Sequence, residues 1–125
     1  MNTPNDLLYA KSHEWLRLEK EQATVGITDH AQSALSDVVF VELPKAGRVV
    51  KAGEVIATVE SVKAASDIYS PVAGTVIESN STLSSDPGMI NREPYGQGWL
   101  FKIQPENPKP NGLLSATDYT ATLSS

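Results

Sequence analysis

The chain has 125 residues, a formal net charge of -5, 40% hydrophobic and 20% charged residues, and no cysteine. That is long enough for one domain with a real core, and the balance is that of a globular chain. The acidic balance without a Lys/Arg run argues against nucleic-acid binding, the missing cysteines exclude disulfides and thiolate chemistry, and no apolar stretch has the length of a membrane span.

The first six residues are polar and lack the basic and apolar regions of a signal peptide, so a cytoplasmic chain is the expectation, with a mature mitochondrial chain as the alternative. A first β-rich run spans Tyr9 to Leu18 and contains the alternating Trp15-Leu16-Arg17-Leu18, and Ala23 to Ile27 is a second strand. Thr28 or Asp29 is placed to cap a helix over 29–35, with Ala31, Ala34 and Leu35 on one face. Val38 to Leu43, closed by Pro44, is a third strand; Val55 to Ser61 is a fourth; Thr75 to Glu78 and Trp99 to Ile103 follow. β-branched residues dominate these runs and suit a pleated, half-buried surface. Asn107 to Gly112 reads as a loop, and Ser115 is a cap for a short terminal helix containing Asp118 and Tyr119. Short strands with frequent turn signals predict an all-β sandwich or barrel with few helices. Gly47-Arg48-Val49 and Gly74-Thr75-Val76 resemble each other, which suggests a hairpin between two similar sheets.

The segment Glu60-Ser61-Val62-Lys63-Ala64-Ala65-Ser66-Asp67 joins the fourth strand to an extended run ending at Pro71. Lys63 is the only basic residue between Lys51 and Arg92, and carboxylates surround it in sequence. The common role of such a lysine is a solvating charge that discourages edge pairing, with Glu60 and Asp67 in reach for weak ion pairs. The other role is covalent attachment, because a tight hairpin projects one side chain while its strands fix the base.

The remaining polar residues carry less. His13 and His30 have no ligand spacing, so no zinc site is expected. His13 and Glu14 read as polar packing or docking residues, Trp15 and Trp99 as core anchors, and Pro94-Tyr95-Gly96 as a structural turn. Gly26, Gly47, Gly53 and Gly74 are assigned to turns or close backbone approach. A small hydrolase would need a nucleophile–base pair, and neither a Gly-x-Ser-x-Gly elbow nor a phosphate loop is present.

The segment from Glu60 to Asp67, followed by Tyr69-Ser70-Pro71-Val72-Ala73-Gly74, resembles the lipoylation motif of glycine cleavage H proteins. Ser12-His13-Glu14-Trp15, Val25-Gly26-Ile27-Thr28, Ala31-Gln32 and Asp37 to Pro44 match further blocks in the same order. Asn91, Pro94-Tyr95-Gly96, Gly98-Trp99-Leu100 and Lys102-Ile103 match the late block. A biotinyl domain would instead have methionines beside the lysine, where Val62 and Ala64 stand. Departures are modest: His30 stands where an aromatic residue is commoner, Arg92 and Gln97 where acidic residues are frequent, and 79–85 is serine-rich.

The resemblance implies a flattened sandwich, or barrel-sandwich hybrid, of two sheets, with lipoate on Lys63 at a β-hairpin and short helices near 29–36 and at the C-terminus. It implies one lipoyl-carrier domain over 1–125 with a lipoyl-binding core at about 22–104. It implies a non-catalytic shuttle carrying the aminomethyl group of glycine between a pyridoxal-phosphate glycine decarboxylase and a tetrahydrofolate-dependent aminomethyltransferase. A dihydrolipoyl dehydrogenase and a lipoate-attaching enzyme are the other implied partners. An H-like protein that relays lipoate to other enzymes would use the same lysine. Glu14 is the candidate for receiving the loaded arm's amine, its alternative being a solvated surface charge.

Overall fold

A computed structural model describes residues 3–20, 22–107 and 112–123. The chain forms β1 (Leu8–Tyr9), β2 (Glu14–Glu19), β3 (Gln22–Ile27), α1 (Asp29–Leu35), β4 (Val38–Glu42), β5 (Val49–Val50), β6 (Val55–Ser61), β7 (Ala65–Tyr69), β8 (Gly74–Ser79), α2 (Thr82–Ser85), α3 (Met89–Arg92), β9 (Phe101–Pro105) and α4 (Ala116–Leu123). The strands build two antiparallel sheets, one of order β1-β2-β3-β9-β8-β5 and one of order β4-β6-β7. The expected strand-dominated two-sheet fold with short helices is borne out.

The main core draws Val25, Ile27, Phe101 and Ile103 from the larger sheet and Val41, Ile56, Val59 and Ile68 from the smaller. Burying each such side chain stabilises the fold by about 1.5–3 kcal/mol relative to exposure. A second cluster, Leu7, Tyr9, Trp15, Ala116 and Tyr119, docks α4 against β1 and β2. Trp15 and Gly26 are cross-strand partners, and a Cβ at Gly26 would stand 2.6 Å from the indole. The glycine therefore makes room for the buried ring.

Thr28 is the cap of α1: its hydroxyl accepts from the Ala31 amide at 3.2 Å. Ala31 and Leu35 pack against the core as expected, but Ala34 is exposed. At the other end Ser115 caps α4 by accepting from the Asp118 amide. The last strand begins at Phe101 rather than Trp99, because the Gly98 amide first closes a turn onto the Glu93 carbonyl. Trp15 is fully buried in the second cluster, whereas Trp99 is half-buried against that cluster with the Lys102 ammonium 5.2 Å from its ring centre. The similar segments around Gly47 and Gly74 do not lead into separate sheets. Val49 pairs with Thr75 and Val50 with Gly74 within the larger sheet, and the β6–β7 hairpin lies between them in sequence. Of the loop expected at 107–112, residues 108–111 lie outside the described residues.

Candidate functional site

Lys63 lies in the turn Val62–Ala64 between β6 and β7, with its side chain exposed. The backbone beneath it is fixed closely. The Ser61 amide donates to the Ala64 carbonyl at 2.8 Å. The Ser61 hydroxyl accepts from the amides of Lys63 and Ala64, each at 3.2 Å, and donates to the Ala64 carbonyl at 3.1 Å. Such local serine bonds hold a turn without help from bulky side chains. The expected ion pair with Glu60 or Asp67 is not formed; Lys63 Nζ instead lies 3.4 Å from the Ala34 carbonyl, at the last turn of α1.

A second tie runs from the turn into the body of the protein. The Val62 amide donates to the Asp37 carbonyl at 3.0 Å. Asp37 follows Ser36, which adopts φ 67° and ψ -151°, a region few residues other than glycine occupy. Asn91 on α3 holds both sides of this connection. Its Oδ1 accepts from the Val38 amide at 2.8 Å, and its Nδ2 donates to the Ser36 carbonyl at 2.7 Å and to Gln32 Oε1 at 3.1 Å. One side chain thus fixes the end of α1, the strained Ser36 and the start of β4.

Glu14 is not a solvated charge. It is 1% exposed, and burial pushes its carboxyl above the usual carboxylate range against hydrogen bonds from Ser12 and the Tyr69 backbone. Ser12 Oγ donates to Glu14 Oε1. Glu14 lies on β2 of the larger sheet and Tyr69 ends β7 of the smaller, so the carboxylate bridges the two sheets. From Ala65 to Tyr69, β7 covers about 13 Å of strand between the turn and this carboxylate.

The fold also joins residues that are distant in sequence. The rings of His13 and His30 lie 4.7 Å apart, and His13 Nδ1 is 2.7 Å from Tyr119 Oη. Tyr119 Oη is in turn 2.7 Å from Thr28 Oγ1. Tyr119 Oη thus links the Thr28 hydroxyl, which also accepts from the Ala31 amide, to the His13 ring in one chain of polar contacts. Burial, with a smaller contribution from His30, pushes the His13 imidazole below its ordinary value. Among the described residues no group of three or more His, Cys, Asp or Glu is placed to hold a metal ion. Asn91 and Ser61 are site residues whose positioning roles sequence reasoning missed; the hydroxyl of Ser61, beside an isolated lysine, was the available signal.

The family model described as glycine cleavage H-protein matches residues 7–125. The chain belongs to the glycine cleavage H-protein family. It is 56% identical over 120 residues to the glycine cleavage system H protein of Opitutus terrae, covering 94% of each chain. It is 57% identical over 122 residues to that of Azoarcus sp. (strain BH72), covering 96% of this chain and 95% of the relative. Its fold is similar to the crystal structure of a glycine cleavage system H protein from Mycobacterium marinum, with a TM-score of 0.90 and 38% identity over 98% of this chain and 99% of that one. The resemblance drawn from the motif blocks is thereby borne out across nearly the whole chain, and relatives in bacteria carry the same family name. Among the described residues no helix is long and apolar enough to cross a membrane.

Proposed function

We propose that this H-protein family member is the lipoyl carrier of a cytoplasmic glycine cleavage system, acting as one domain over 1–125 with lipoate in amide linkage to Lys63. The observation that carries this reading is an exposed lysine on a turn whose backbone is held by five hydrogen bonds, four within Ser61–Ala64 and one from Val62 to Asp37. The residues fit the group: the lysine is exposed, the small residues Ser61, Ala64, Ala65 and Ser66 leave room around it, and its amine makes one long contact with a carbonyl. In attachment, neutral Nζ displaces the leaving group of an activated lipoyl carboxylate. The N–C amide bond forms, the bond from the acyl carbon to the leaving group breaks, and the proton of Nζ passes to solvent.

When bound, the lipoyl group would supply a cyclic disulfide, one sulfur of which could carry an aminomethyl unit while the other becomes a thiol. The chain's own residues hold and present it. Ser61, Asp37 and Asn91 fix the base of the arm, and the mobile side chain raises its effective concentration at successive partner sites. The proposed partners are the glycine decarboxylase, the aminomethyltransferase, the dihydrolipoyl dehydrogenase and a lipoate-attaching enzyme. Glu14, with Ser12 oriented onto it, is the carboxylate proposed to receive a cationic amine in a site shielded from water. The chain catalyses no net reaction alone.

The test is glycine cleavage reconstituted with the partner enzymes. The lipoylated chain should support turnover, a Lys63→Arg variant should support none while keeping its fold, and the lipoylated chain without partners should release no carbon dioxide. Normal turnover with Lys63→Arg would overturn the assignment.

A further inference from the structure

Strand β4 breaks its own alternation. Val38 and Val41 are buried, while the two residues between them, Val39 and Phe40, are each 53% exposed. The cause is a bulge: Val38 pairs with Ser61 and Phe40 with Glu60, which leaves Val39 without a partner on β6. An unbulged strand would turn one of these two side chains inward. The bulge turns both outward, one residue from the Lys63 turn, where Val62 is a further 65% exposed. Bulges recur beside functional sites because they re-aim side chains in this way. Asp37, Glu42 and Glu60 are exposed around the three apolar residues.

We propose that Val39, Phe40 and Val62 form the docking footprint of the enzyme that acylates Lys63, a partner with an apolar recess rimmed by Arg and Lys. This rests on the carrier reading and extends it. Two arguments select this occupant. A second copy of the chain would bring carboxylates against carboxylates, in a chain of net charge -5, whereas a basic rim complements them. Enzymes that work on the distal end of the arm act away from the lysine. The attaching enzyme reacts at Nζ itself, so it must close around the turn and cover its flank. Apolar anchors at the centre with charges at the rim are the usual anatomy of such a contact.

The experiment measures transfer of lipoate from a lipoate-attaching ligase, supplied with lipoate and ATP, as a function of the concentration of unmodified acceptor chain. The double variant Val39→Ser/Phe40→Ser should raise KM at least tenfold, about 1.4 kcal/mol, with kcat within twofold. Val62→Ser should move KM in the same direction. Val49→Ser, 67% exposed on β5 and remote in sequence from the turn, should leave KM unchanged. Phe40→Gln alone, which keeps Val39 and its β-branched fit to the bulge, guards against a folding defect in the double variant and should raise KM severalfold with an unchanged melting curve. An unchanged KM in both folded β4 variants would overturn the footprint while Lys63 is still modified. A wild-type chain that is not modified at Lys63 would overturn the carrier reading and the footprint with it. A loss of affinity only for glycine decarboxylase, or self-association abolished by Phe40→Gln, would assign the patch to another occupant and contradict the proposal.

Discussion

The amide of Val62 and the carbonyl of Asp37 form a 3.0 Å hydrogen bond that ties the lysine-bearing turn to the segment leaving α1. Asn91 grips the residues on either side of Asp37, so its influence reaches the turn although it lies on a different helix. Asn91→Ala removes three hydrogen bonds and leaves the strained Ser36 held by fewer contacts. The expected cost is about 1–3 kcal/mol. Amide exchange at Val62 should accelerate more than that at Val25 in the central strand β3. If both amides respond equally, Asn91 stabilises the fold without positioning the turn.

Tyr119 stands in the middle of a hydrogen-bond chain and stacks on Tyr9 with ring centres 4.7 Å apart. Tyr119→Phe keeps the stack but takes away the phenol that both the buried Thr28 hydroxyl and His13 Nδ1 hydrogen-bond. Thermal or urea unfolding should show a loss of about 1–3 kcal/mol. A neutral result would mean that water replaces the phenol at no cost.

The same chain makes stability depend on pH. The folded pKa of His13 lies below its unfolded value of 6.5, so the unfolded state binds more protons as pH falls through that value. Stability is therefore lost on acidification from neutrality through about 6.5, and the loss levels off below the folded value. Glu14 acts with the opposite sign, since its raised carboxyl favours folding below its ordinary value of 4.5 and that contribution is lost as pH rises through the folded value. A series of unfolding midpoints between pH 8 and 5 should flatten in a His13→Gln variant relative to the wild-type chain. An equally steep fall in the variant would assign the acid sensitivity to other groups.

The longer strands were legible in the sequence because β-branched and apolar residues run through them between turn residues, and β3, β6 and β8 lie within a residue of the expected runs, whereas the run from Tyr9 to Leu18 divides between β1 and β2. The hairpin at Lys63 was legible from small residues around an isolated lysine. β5 has two residues and α3 four, too few for a periodic pattern to repeat. The bulge at Val39 left no mark either, since two adjacent apolar residues in a strand look the same whether one or both face outward. The sequence left Glu14 between a packing residue and a solvated charge, because its shelter comes from Ser12 and from Tyr69 on the other sheet; its burial decides for packing. The proximity of His13 and His30 likewise depends on how β2 and α1 meet in space.

The central claim is that this family member carries lipoate on Lys63, and the most direct measurement is intact mass followed by peptide mapping of protein purified from its native source. The account predicts one lipoyl adduct per chain, confined to the peptide that contains Lys63. Lipoate on Lys45, Lys51 or Lys102, or a chain that remains unmodified while glycine cleavage proceeds, would contradict it.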